Sequence, residues 1–138
     1  RKMPKMYFLD TGLRNVSLHA KNLSTIEMTD RRNKGIVLEN YIFSELVKTG
    51  YDDIQFWRTK DGAEVDFVIR DGNGLVPFEV KAAELTDSRL TRSFISFLAK
   101  YKPKRGFIVN LKLRDTVTRG GCRIHFILPY EITNVLSS

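Results

Sequence analysis

Three charged residues at strand spacing carry the chemistry of this chain: Asp66, Glu79 and Lys81. Two carboxylates offer the oxygen ligands that a hard cation such as Mg²⁺ or Mn²⁺ takes, and an ammonium beside them can position or activate a water. Those are the parts of a metal-dependent phosphodiester hydrolase. Burying so many charges among Val, Phe and Ile is costly unless something pairs them. The competing explanation is a solvent-facing sheet surface with a lysine–carboxylate pair, which antiparallel strands tolerate. Glu39 weighs against it. Its neighbours three and four positions on are Ile42 and Phe43, so a carboxylate stands beside an apolar stripe, and joining Asp66 and Glu79 would explain it. A glutamate near a helix N-terminus, favoured by the macrodipole, is the plainer account. Glu45 is the alternative for the same role.

The elements that must position these groups follow from periodicity. Residues two apart on a strand share a face. Over Glu64–Arg70 the alternation puts Val65, Phe67 and Ile69 on one side and Glu64, Asp66 and Arg70 on the other. In the second arm Phe78, Val80 and Ala82 oppose Glu79 and Lys81, and Asp71-Gly72-Asn73-Gly74 between the arms is a hairpin turn. Gly35 to Gly50 reads as a helix with Leu38, Tyr41, Ile42 and Leu46 on one face. Ile54 to Arg58 reads as a strand. Thr86 or Asp87 is expected to cap a second helix carrying Leu90, Phe94, Phe97, Leu98 and Tyr101, stopped at Lys102-Pro103. Gly106–Asn110 and Arg123–Leu128 read as strands with a basic loop between them, and Pro129 starts a terminal turn or helix. Residues 15–34 read as irregular or short helix. A strand–helix–strand connection after the hairpin requires parallel pairing, so the sheet is mixed.

Composition narrows the class. The 138 residues suit one domain with one core. The apolar fraction of 42% excludes a disordered tail. A net charge of +7 and a pI near 9.7 point to an anionic partner, DNA first. Arg58, Lys60 and Lys102 are the candidate backbone contacts, Lys102 within the run Lys100, Lys102, Lys104 and Arg105. Phe56 and Trp57 have the shape to stack a base, but strand aromatics are more often core. The single cysteine, Cys122, reads as a small core residue in a reducing compartment. His19 and His125 have no cysteine or histidine at ligand spacing, which argues against zinc. Gly72–Gly74 is no phosphate loop. No membrane-length apolar run or signal peptide is visible, so a cytoplasmic location is expected.

The series Gly35-x-x-x-Glu39, Glu64-Val65-Asp66-Phe67-Val68-Ile69 and Phe78-Glu79-Val80-Lys81 resembles the PD-(D/E)XK nuclease superfamily. Within it, the run KMYFLDTGLRN (residues 5–15), Glu39-Asn40-Tyr41 and FWRTKDGAEVDFVI (residues 56–69) are similar to the C-terminal nuclease-like domain of unknown function in bacterial and archaeal AAA-type P-loop ATPases. The resemblance implies an α/β fold with a restriction-endonuclease-like core of order αβββαβ, a mixed central β-sheet flanked by helices. It makes Asp66 and Glu79 the metal ligands, Lys81 the catalytic lysine and Glu39 an accessory acid. It also makes residues 1–138 one nuclease-like domain, the C-terminal piece of a larger ATPase whose absent upstream part alone would use ATP. Val65 stands where the motif name has proline. The expected activity is Mg²⁺- or Mn²⁺-dependent endo- or exodeoxyribonuclease. The alternative is an inactive module that binds DNA or docks a partner for the ATPase.

Overall fold

A computed structural model describes residues 5–7, 31–72 and 74–137. The reading of residues 15–30, His19 and most of the run from Lys5 to Asn15 lie outside them. Among the described residues the order is β1 (Lys5–Tyr7), α1 (Arg31–Lys48), β2 (Gln55–Arg58), β3 (Glu64–Asp71), β4 (Gly74–Val80), α2 (Arg92–Tyr101), β5 (Arg105–Val109), β6 (Asp115–Arg119), β7 (Cys122–Ile127), a 3₁₀ turn (Pro129–Glu131) and α3 (Ile132–Ser137). The strands form one sheet in the order β1-β2-β3-β4-β5-β7-β6. β4–β5 and β5–β7 are parallel and the other pairs antiparallel. The fold is α/β with a mixed sheet, as the strand–helix–strand connection required.

Two apolar layers cover the sheet. On one face Leu38, Ile42, Phe43 and Leu46 of α1, with Ile132 and Leu136 of α3, pack on Phe67, Ile69, Phe78, Phe107 and Val109. On the other, Phe94, Phe97 and Leu98 of α2 pack on Trp57, Val65, Val68, Ile108 and Phe126. Trp57 is core: its ring meets Phe97 edge-on at 5.4 Å. Cys122 is buried in the α2 layer, and burial pushes its thiol up to about 11. Gly106 lets α2 approach closely, since a Cβ there would lie 3.0 Å from the Phe94 ring and 3.2 Å from Pro77.

Several expectations are corrected. Helix α1 begins at Arg31, not Gly35, and Tyr41 turns outward while Phe43 takes its place in the core. The second helix begins at Arg92. Its cap is Thr91, whose hydroxyl accepts from the Phe94 amide at 3.1 Å, while Asp87 only closes a local turn to the Arg89 amide. The stretch expected as a basic loop contains β6, an exposed edge strand. The strict alternation along β3 also fails. Gln55 pairs with Val68 and Trp57 with Val65, so three steps on β3 match two on β2. This bulge moves Val65 to the α2 layer while Phe67 and Ile69 stay on the α1 layer. Asp66 lies within it.

Candidate functional site

Asp66 and Glu79 each adjoin the last pair of the β3–β4 ladder, where the two strands part. Their ladder ends at the pair Phe67–Phe78, beyond which β3 follows β2 and β4 follows β5. The Val80 amide, left without a β3 carbonyl, donates to Asp66 Oδ2 at 2.7 Å. The carboxylate thus closes the gap in the ladder. Glu79 is buried, 7% exposed, on the α2 side. The Thr91 hydroxyl stands 3.0 and 3.1 Å from its two carboxylate oxygens. One hydroxyl therefore donates to Glu79 and accepts from the first turn of α2, which aims the positive end of that helix at the carboxylate. Lys81 Nζ lies 3.5 Å from Glu79 Oε2, and the Lys81 amide is held by the Val109 carbonyl at 2.8 Å.

The electrostatics are unfavourable to anions here. Asp66 is pushed up to about 7, first by burial and then by the charge of Glu39; Glu79 and Glu64 add to the shift and the Val80 hydrogen bond opposes it. Glu79 is raised by burial, with Lys81 and Thr91 working the other way. Burial and the charge of Glu64 raise Glu39. Asp66 therefore feels Glu39, Glu79 and Glu64, Glu39 feels Glu64, and Lys81 is the cation beside Glu79. Such mutual repulsion, held by fixed strands, is relieved by a positive charge.

Glu39 joins the group by this coupling. Glu45 does not: it pairs with Lys48 at 3.3 Å one helical turn on. Arg58 and Lys60 lie at the same end of the sheet, at the close of β2 and in the turn to β3, with Arg58 bound to Glu64 at 3.4 Å. Lys102 does not come to the site. It caps the far end of α2, a helix of ten residues that spans ~15 Å, and Thr91 stands at the near end. Thr91 is the residue sequence reasoning missed. Its signal was present, a capping residue three positions before the first buried phenylalanine, but Thr86, Asp87 and Ser88 offered the same chemistry earlier.

The donor set suits Mg²⁺ or Mn²⁺ in kind, since such a cation is held by one or two carboxylates completed by water and phosphate oxygens. Among the described residues no three His, Cys, Asp or Glu side chains stand together closely enough to hold a metal ion. The fit thus rests on Asp66 and Glu79 alone. His125 lies on β7, away from this cluster.

A mixed α/β sheet with two acids and a lysine at a strand divergence defines a class of domain. Residues 34–132 match the family described as a domain of unknown function, DUF4143, and the chain belongs to it. Among curated proteins the chain matches none. No helix of the described residues is long and apolar enough to cross a membrane.

Proposed function

We propose that this domain is a divalent-cation-dependent phosphodiesterase of the PD-(D/E)XK type acting on DNA, working with an ATPase carried upstream in the same polypeptide. The observation that carries the reading is that Asp66 accepts from the amide of Val80, the residue after Glu79, at the parting of β3 and β4, with Lys81 salt-bridged to Glu79. The order α1-β2-β3-β4-α2-β5 supports the superfamily assignment. Asp66 and Glu79 would hold the cation. When bound, it supplies a water of lowered pKa and positive charge against the phosphate. Lys81, pinned through its backbone to β5, orients the attacking water. Thr91 fixes the Glu79 carboxylate. Glu39 tunes the proton affinity of Asp66, and Arg58 and Lys60, at the same end of the sheet, hold the backbone.

The test is cleavage of single-stranded and duplex DNA with Mg²⁺ or Mn²⁺, by the domain and by the complete ATPase with ATP. Wild type should cut and Lys81→Ala should not. A second reading, a binding module without catalysis, is favoured by one observation, the lack of a third acidic ligand among the described residues. It becomes the better account if the complete wild-type protein leaves DNA intact and titration detects no bound Mn²⁺.

A further inference from the structure

At the end of the sheet away from Asp66 lies a groove of about 920 Å³, where β4, β5 and β7 begin. Gly74 lines it, and Glu79 is five residues further along the same strand. At ~3.3 Å per residue Gly74 stands roughly 17 Å from Glu79, and Val76, the β4 lining residue nearest to it, roughly 10 Å. The charged residues lining the groove are Asp71, Lys102, Lys104, Arg105 and Arg123, with His125 beside them. Counting four cations and one carboxylate, with His125 neutral, the lining carries +3. Arg105 is bound to Asp71. Lys102, Lys104 and Arg123 are in no ion pair among the described residues.

The backbone singles out Lys102. It holds φ 50°, the only non-glycine residue at positive φ among those described. An L side chain there is strained, and glycine is the usual occupant at the C-terminus of a helix. Lys102 takes that conformation as an exposed residue lining the groove. The neighbouring edge is open as well: Thr118 on β6 lines the groove beside Arg123, its partner on β7, and adds an exposed hydroxyl. Repulsion from Arg123 and Arg105 adds to burial in lowering the proton affinity of His125. Unpaired cations, a hydroxyl and an open edge suit a run of phosphates.

We propose that this groove binds the phosphate backbone of a nucleic acid, through Lys102, Lys104 and Arg123, at a site separate from the carboxylate end. The proposal shares with the functional reading its choice of nucleic acid as partner and is independent of catalysis. A polymer is preferred to a free phosphate because three cations in no ion pair among the described residues can each meet a successive phosphate.

The test is anisotropy of a labelled 20-bp duplex with the full chain in chelator, which removes any metal-dependent contact at the other end. Binding should weaken steeply with salt. Lys104→Ala/Arg123→Ala should lose at least ten-fold in affinity and lower the slope of log K against log salt by roughly 1.8, about 0.9 for each phosphate contact. Lys48→Ala/Arg89→Ala removes the same charge from exposed residues already paired with acids. Equal losses in the two pairs would overturn the proposal, since binding would then follow net charge and not the groove. Millimolar inorganic phosphate that competes as well as unlabelled duplex would overturn the preference for a polymer. Competition by polyglutamate equal to that by DNA would make the partner an acidic protein. Lys102→Gly guards against misfolding as an explanation, because it relieves strain: it should bind DNA more weakly while melting no lower than wild type. Metal titration of wild type and Asp66→Ala reads the catalytic proposal separately, so either can fail alone.

Discussion

The two ends of the sheet are opposites in charge and alike in predicament. At the parting of β3 and β4, Glu39, Asp66 and Glu79 are all harder to ionise than free carboxylates: burial penalises each anion, joined at Asp66 by the charges of Glu39, Glu79 and Glu64 and at Glu39 by that of Glu64. At the start of β5 and β7, His125 is harder to protonate because burial is joined by Arg123 and Arg105. Each end has gathered more of one sign than its own partners neutralise. What differs is rigidity. At the acidic end Asp66 and Glu79 are strand residues whose carboxylates complete backbone and cap hydrogen bonds. The basic end presents Lys102, Lys104 and Arg123 as exposed side chains. A fixed pair of acids suits a small cation that demands near-ideal geometry, and loose cations suit a polymer read only by its charge.

The comparison breaks most visibly at Asp66. Asp66→Ala should reduce Mn²⁺-dependent cleavage by more than ~100-fold, beyond the usual cost of losing a group that only supports a metal ligand. Its affinity for DNA in chelator should stay within two-fold of wild type. Cleavage that survives Asp66→Ala would remove the acidic end from the chemistry.

A pH experiment sharpens the acidic side. The folded-state pKa of Asp66, about 7, lies above the usual 3.8, so the folded protein binds the extra proton between those values. Stability from this group is therefore fully present below about pH 4 and is lost as pH rises through 7. In chelator, the melting temperature of wild type minus that of Asp66→Asn should fall between pH 5 and pH 8. Mg²⁺ at pH 8 should raise the wild-type value and leave Asp66→Asn unchanged. A difference that stays flat with pH would mean the carboxylate is far better solvated than its surroundings imply.

Much of this arrangement was legible beforehand, and the failures share a cause. The hairpin from Glu64 to Val80 was readable because its turn chemistry and its apolar runs agree, and the mixed sheet followed from connection rules. The bulge at Asp66 was not readable: it is a mismatch between two strands, and no single strand records it. Strand β6 escaped because DTVTR buries no residue, Val117 being only partly covered, so its alternation had no core to mark it. Thr91 lost to Thr86 and Asp87 because local chemistry cannot say which of several capping residues the tertiary fold will use. For the same reason Lys102 was joined to the acidic end, when it sits a whole helix away.

Two substitutions probe how α2 links the ends. Gly106→Ala places a methyl against Phe94 and Pro77 and should cost about 1–3 kcal/mol by overpacking, read as a lower denaturation midpoint. Thr91→Ala should cost about 1 kcal/mol as a lost helix cap. It also frees Glu79 from its hydroxyl, so cleavage should fall as well. Thr91→Ser keeps both bonds and should recover both properties. Recovery of stability without recovery of cleavage would show that the threonine methyl, and not the hydroxyl, positions Glu79.

The smallest effect bears on the basic end. Lys102 holds a left-handed conformation that costs an L residue about 1–2 kcal/mol. Glycine removes that cost but gives back about 0.4–1 kcal/mol through the greater freedom of its unfolded chain. Lys102→Gly should therefore stabilise the domain by about 0.5–1 kcal/mol, a rise of a few degrees in melting temperature at most. Lys102→Ala should not share the gain, because alanine keeps the Cβ that causes the strain, yet it removes the same charge. The two variants separate geometry from electrostatics: both should weaken DNA binding equally, and only glycine should raise the melting temperature. If glycine and alanine melt alike, the strain at this cap is too small to weigh, and the lysine needs no functional reason to be there.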